Sequence, residues 1–308
     1  MKYVPENSEG FASGGFALLD NKTILEKTIV RPTYGPDKHW RNEARFYSSL
    51  SQHLSVGGIY IPEFYGLVVV NESTIKLRLR YVEGCSPVVA PSDRERLCFR
   101  FGVKGATANV MRLYRTDWLP VSGGIGLTDS HPLVRDARSL MEEVRSDGWP
   151  VFQLFLDKVP EIRKLYLKGI PTLCHGDASR YNILVQANSE RFFVIDWARV
   201  HSGMIGDDLC RLVYPAIVFF DDDYVDEAES CMVDRYIEGV QSVMPADRHS
   251  IITAFKIRAV ALALSIADFL REEIAEAADE PMRKLKTERL RAYYEKMARH
   301  ASDILAMI

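Results

Sequence analysis

The segment Leu173-Cys174-His175-Gly176-Asp177-Ala178-Ser179-Arg180-Tyr181-Asn182-Ile183-Leu184-Val185 places an aspartate five residues before an asparagine, just ahead of an apolar run. Fourteen residues past Asn182, Asp196 closes a second apolar run, Phe192-Phe193-Val194-Ile195, and precedes Trp197. The runs Ile183 to Val185 and Phe192 to Ile195 are split by the turn-prone Ala187-Asn188-Ser189. That pattern predicts a hairpin bringing Asn182 and Asp196 to the same end of two paired strands. An amide oxygen and a carboxylate presented together suit a hard cation such as Mg²⁺, which prefers oxygen ligands and keeps substrate phosphates in its shell. Asp177, one tight loop earlier, is placed to take a proton in the same space. Metal ligands plus a base that receives a hydroxyl proton are the parts that phosphoryl transfer needs.

Asp and Asn often do no more than cap turns and strands, and that alternative leaves the joint spacing without a cause. Residue frequencies alone would produce HGDxxxxN on the order of once in a thousand chains this long. His175-Gly176-Asp177 with Asn182, and Ile195-Asp196-Trp197 followed by Gly206-Asp207-Asp208-Leu209, resemble the motifs of the aminoglycoside phosphotransferase and choline kinase-like family. Those are small-molecule kinases with the protein-kinase-like fold. The resemblance is strong over roughly residues 170 to 212, weaker at the front and nearly silent in the tail. It implies ATP as donor, Asp177 as catalytic base, and Asn182 and Asp196 as Mg²⁺ ligands. It also implies that the Gly206-Asp207-Asp208 turn braces the catalytic loop, whereas N-cap duty is the ordinary role of acids ahead of a helix. His175 is expected to order the loop by backbone hydrogen bonds, and Arg180 to pair with a neighbouring acid. Ser179 stands where protein kinases acting on proteins usually carry lysine, which favours a small-molecule acceptor.

These residues need elements to hold them. In front, Phe16 to Leu19 and Thr23 to Val30 are β-prone runs around the turn Asp20-Asn21-Lys22. His39 to Leu54 carries helical spacing, with Trp40, Ala44, Tyr47 and Leu50 near one face, ended by Gly57-Gly58. Phe64 to Val70 and Thr74 to Val82 read as two more strands. Nucleotide kinases of this kind hold a cation on the α/β-phosphates with a helix carboxylate. Lys27 in the second strand and Glu43 in the helix match that order, although alone such a pair reads as solvated surface. Ser13, Gly14 and Gly15, with Gly10 before them, are the candidate phosphate loop at the first hairpin, since glycines let backbone N–H groups approach phosphate. Tyr81, Val82 and Glu83 are the candidate adenine contact, by position only. Gly84 and the stretch Pro87 to Pro91 form a joint.

Behind the joint, Ser92 to Thr116, Leu133 to Arg145 and Val151 to Lys168 predict helices. Trp118 to Pro132 reads as a loop or lid. From Leu209 to Ile308 the chain is almost wholly helical, with breaks near Pro215, Pro245 and Pro281. The fold class is therefore α+β with two lobes: a small N-terminal antiparallel sheet with one helix, and a large, mostly helical C-terminal lobe carrying an embedded hairpin. The expected division is 1–82, a nucleotide-binding lobe, and 83–308, a catalytic and substrate-binding lobe.

With 308 residues, 47% hydrophobic content and a net charge of −3, the composition is that of a globular protein and excludes disordered, collagen-like and coiled-coil classes. The acidic balance offers no nucleic-acid surface. The five cysteines include no CxxC pair and read as buried thiols. The apolar runs Leu212 to Phe220 and Ala259 to Ala267 are about half the length of a bilayer span, and a cytoplasmic location is expected. Asp221-Asp222-Asp223, with Asp226, Glu227 and Glu229, forms an acidic run that is either a solvated helix start or an attractor for a cationic acceptor. Glu272, Glu273 and Glu276 would add to it. The acceptor is expected to be an aminoglycoside-like or other hydroxyl compound. Choline, sugar or homoserine-type metabolites, or a non-catalytic nucleotide-binding role, are the alternatives.

Overall fold

Alternating apolar residues in the front of the chain dictate an antiparallel sheet. In the computed structural model, which describes residues 13–20, 23–31, 40–83, 85–87, 91–121, 132–186, 191–214 and 226–308, this sheet is built from β1 (Ser13–Leu19), β2 (Ile24–Val30), β4 (Phe64–Asn71) and β5 (Thr74–Arg80) in the order β1-β2-β5-β4. Between β2 and β4 lie α1 (Asn42–Ser49) and the two-residue β3 (Ile59–Tyr60). The helix is shorter than the His39 to Leu54 pattern predicts: a separate 3-10 turn, Ser51–His53, takes up its last residues. Ser13 to Gly15 do not form the hairpin. They are the start of β1 itself, which is irregular against β2 between Ser13 and Phe16.

Behind the sheet follow β6 (Cys85–Pro87), α2 (Pro91–Val110), α3 (Pro132–Glu143), α4 (Trp149–Asp157), α5 (Val159–Tyr166) and β7 (Pro171–Cys174). Then come β8 (Ile183–Gln186), β9 (Phe192–Val194), β10 (His201–Met204), α6 (Asp207–Val213), α7 (Asp226–Gln241), α8 (Arg248–Ser265), α9 (Ala267–Ala275) and α10 (Glu280–Leu305). The single helix expected over Val151 to Lys168 is two. Pro160 lacks the N–H that a continuous helix would use and sits instead in the first turn of α5. The joint contains a strand, since β6 pairs antiparallel with β8. β8 also pairs with β9, and β9 pairs parallel with β3, giving a second sheet ordered β3-β9-β8-β6. β7 and β10 form a separate antiparallel ribbon. Near Pro281 the break falls earlier, where Asp279 caps α10 by accepting from the Met282 N–H at 2.8 Å.

Glycines in α2 permit close helix packing. A Cβ on Gly102 would stand 2.1 Å from the Tyr236 carbonyl oxygen, and one on Gly239 would stand 2.0 Å from that of Phe99. α2 and α7 therefore touch backbone to backbone. The back of the molecule is organised around α8, whose Ile251, Phe255, Ile257, Val260 and Leu264 are buried. No single helix among the described residues is long and apolar enough to cross a membrane. Cys98, Cys174 and Cys210 are buried free thiols and Cys231 is half-buried. Gly10, most of the expected lid (122–131), the turn 187–189, Pro215, Asp221 to Asp223 and the side chains of Ser13, Gly14, Cys85, Arg180, Asp226 and Glu227 lie outside the described residues.

Candidate active site

Neighbouring residues of a strand point to opposite faces, and β2 uses this to separate an acid from a lysine. Glu26 turns to one face, where Lys76 Nζ and Arg78 Nε of β5 donate to it at 2.7 and 2.9 Å. Lys27 turns to the other face and donates to Glu43 Oε2 of α1 at 2.7 Å and to Asp196 Oδ1 at 3.0 Å. Burial opposes the charge on Lys27, but the two carboxylates outweigh it and hold the ammonium above its ordinary value. One cation cannot neutralise both a buried and a half-buried acid. Burial, with Asp196 nearby, pushes Glu43 up to about 7 against the pull of Lys27. Burial also works against Asp196, yet Lys27 keeps its carboxyl below the usual range.

Asp196 adopts a left-handed backbone (φ 58°), one that Asp tolerates better than most side chains. The following Trp197 is fully buried. It stacks on Phe46 of α1 with ring centroids 3.9 Å apart and meets the His175 ring edge-on at 4.5 Å. This contact fixes α1, and with it Glu43, against the Asp196 segment. Pattern reading had no signal for it.

The loop from His175 to Asn182 is held by its own backbone. His175 Nε2–H donates to the Ile195 carbonyl at 2.9 Å, and Nδ1 accepts from the Asp177 N–H at 3.1 Å. Burial lowers the imidazole pKa, consistent with that neutral tautomer. Gly176 has φ +83°, and a Cβ there would meet the Arg199 carbonyl oxygen at 2.3 Å. β8 and β9 pair with Ile183 opposite Val194, and the Ile195 N–H donates to the Asn182 carbonyl at 2.9 Å, so Asn182 and Asp196 do lie at one end of the hairpin. Asn182 Nδ2 donates to the Asp177 carbonyl at 2.9 Å. Its amide oxygen has no partner among the described residues.

Neither Asp207 nor Asp208 caps α6, whose N-cap is Gly206 without a side-chain bond. Asp208 instead accepts from the His175 and Gly176 N–H groups, each at 3.0 Å, and from buried Lys104 of α2 at 2.8 Å. Burial disfavours its charge, but Lys104 and the backbone donors hold the carboxyl far below the ordinary range. The brace expected of this turn therefore exists, with a lysine that the sequence reading did not single out. Asp207 accepts from the Tyr166 hydroxyl and the Met204 N–H.

Asp177, Asn182 and Asp196 line one cavity of about 690 Å³, together with Ser179, Tyr181, Arg199 and Arg211 and an apolar wall from α8 and α9. Arg211 of α6, also unforeseen, lies 3.7 Å from Asp177 Oδ1. The lining does not include Gly15, Tyr81, Val82 or Glu83. Gly15 has φ +106° and open space where a Cβ would project. Tyr81 to Glu83 run between β5 and β6, with the Tyr81 N–H donating to the Thr23 carbonyl at 2.8 Å. Glu272, Glu273 and Glu276 are absent from the lining, and Glu273 pairs with Lys286. Glu229 pairs with Lys296.

The donor set suits a hard divalent cation. The Lys27, Glu43 and Asp196 cluster sets two acids against one cation, and the Asn182 amide oxygen faces no donor among the described residues.

The model of the phosphotransferase enzyme family matches residues 27–242. No curated protein sequence matches the chain. Among solved structures, the amicoumacin kinase hAmiN in complex with AMP-PNP, Ca2+ and Ami superposes with a TM-score of 0.58 at 13% identity, covering 91% of this chain and 84% of that one. The GDP and kanamycin complex of APH(2")-IIia gives 0.53 at 14%, covering 96% and 92%. Choline kinase LicA from Streptococcus pneumoniae gives 0.52 at 11%, covering 95% and 94%. At such identities the likeness is one of fold: two-lobed and protein-kinase-like.

Proposed function

Given that the chain belongs to the phosphotransferase enzyme family, we propose that it is an ATP- and Mg²⁺-dependent kinase transferring the γ-phosphoryl group to a hydroxyl of a small molecule. The observation that carries this is the meeting of Asp177, Asn182 and Asp196 on one cavity, with Lys27 bonded to Asp196. Residues 1–82 bind the nucleotide, and 83–308 supply the catalytic groups and the acceptor site. ATP lies with its α/β-phosphates on Lys27, which Glu43 holds in place. The Ser13 to Gly15 backbone N–H groups approach the phosphates, and the Tyr81 to Glu83 backbone meets adenine. Asn182 and Asp196 would hold Mg²⁺, which supplies charge neutralisation on the phosphate oxygens. Asp177 orients the acceptor hydroxyl and takes its proton as the oxygen–phosphorus bond forms, while ADP departs with the electron pair of the broken bond. The acceptor is small, and the site of action is the cytoplasm, where ATP is available.

Two properties of the site support this chemistry. Asp177 has its backbone locked by His175, so its carboxylate is preorganised. Lys27 is fixed by two acids, so it need not be ordered when phosphate arrives. The test is ADP release with Mg·ATP and a panel of amino-alcohols, sugars, hydroxy acids and aminoglycosides. Asp177→Asn is expected to retain nucleotide binding while turnover falls by about 10²–10⁴-fold. Near-normal turnover in that variant overturns the assignment of the base.

A further inference from the structure

The acids and bases lining the cavity are not evenly matched. Each acid on its lining already faces a basic group: Asp177 Oδ1 lies 3.7 Å from Arg211, Asp196 Oδ1 3.0 Å from Lys27, and Asp268 Oδ1 3.2 Å from Arg271. Arg199 is different. Its exposed guanidinium lines the same cavity and has no hydrogen-bond or ion-pair partner among the described residues. A guanidinium stays charged at any working pH and presents a planar fork that matches carboxylate and phosphate oxygens. One wall is apolar, with Leu133, Leu262, Ile266 and Phe269 on it, and Phe269 is 47% exposed.

We infer that the acceptor of this site carries an acidic group, a carboxylate or a phosphate ester, joined to an apolar body that bears the reacting hydroxyl. The inference rests on the phosphotransferase reading above and deepens it. The hydroxyl sits at Asp177, the apolar body lies over Phe269 and Ile266, and the acidic end meets Arg199, with Arg211 adding positive potential. An ammonium group placed at that end would meet the Arg199 guanidinium, a like-charge juxtaposition that disfavours it there.

The test uses four probes of one chain length: a hydroxyalkanoate, its methyl ester, the matching amino-alcohol and the matching hydroxyalkyl phosphate. Affinity is read by calorimetry on the full-length, nucleotide-free protein, and kcat/KM by ADP release. The acidic probes are expected to exceed the ester and the amino-alcohol by at least about tenfold, a typical gain for a charge-assisted bond. Preference between the two acids tells carboxylate from phosphate. Arg199→Gln, at an exposed position where folding is checked by its melting temperature, is expected to erase the acid-over-ester preference while leaving the KM for ATP unchanged. Equal or inverted preference, no measurable binding of either acid, or an Arg199→Gln variant that raises the KM for ATP alone, overturns the inference. Nucleotide binding is measured in the same preparation. Failure of the phosphotransferase reading therefore shows as absent Mg·ATP binding, separately from the probe preference.

Discussion

Two buried lysines donate to aspartates on either side of one loop, and they are held in opposite ways. Lys104 meets Asp208 in a closed cluster: the side chains are 1% and 5% exposed, and both Asp208 oxygens are also filled by backbone N–H groups. Lys27 meets Asp196 in an open one, where the aspartate side chain is 41% exposed and the lysine is shared with Glu43. In the closed cluster both carboxylate oxygens are hydrogen-bonded and one lysine balances one aspartate, so it positions backbone. The open one retains free oxygen lone pairs and an excess negative charge beside a cavity. A saturated buried pair is scaffolding, whereas an under-paired one can bind a ligand.

The sharpest break of that contrast is Asp208→Ala. It strands the Lys104 ammonium and two N–H groups in the interior, so unfolding free energy in urea should fall by about 3–5 kcal/mol. A loss below about 1 kcal/mol would show that the closed cluster is not the brace. Lys27→Met should do the reverse. Stability stays within about 1 kcal/mol, because Glu43 can take a proton, while kcat/KM drops about 10²-fold, or ~3 kcal/mol. Similar stability losses in the two variants would abolish the distinction.

Glu43 sharpens the comparison through pH. Burial pushes its carboxyl from the ordinary 4.5 up to about 7 in the fold, so the folded state binds the proton more tightly than the unfolded chain. Stability should therefore decline as pH rises from about 4.5 to about 7, by up to ~3 kcal/mol. Thermal melts of Glu43→Gln across that window should lack this component, and an unchanged slope would contradict the under-paired cluster. Smallest is Phe46→Leu, which removes the stack on Trp197 at similar volume. A fall of about 1 kcal/mol is expected, with a measurable loss in kcat as α1 loosens. A kcat that stays at the wild-type level would mean that the stack does not position Glu43.

The parts of the site that could be read in advance are those whose partners are close in sequence or carried by long periodic elements. The β8–β9 hairpin is local, so the Asn182 and Asp196 juxtaposition follows from spacing. β2 and α1 carry clear patterns, and the Lys27 to Glu43 pair expected between them lies at 2.7 Å. The four-residue strands β7 and β10 escaped notice because so few residues show no period. Ser13 to Gly15 lie in β1 and not in the hairpin turn expected for them, since glycines in an irregular strand look like glycines in a turn.

By itself, then, the chain's order of residues determined the α+β plan, the nearness of Asp177, Asn182 and Asp196, and the pairing of Lys27 with Glu43. These depend on strand alternation, helix spacing and one short turn. Only the tertiary structure decided that Lys104 reaches Asp208 across 104 residues, that Phe46 stacks on Trp197, and that Arg211 and Arg199 face the cavity with Asp177. Those contacts are set by which faces of distant elements pack together, and no local pattern encodes that choice.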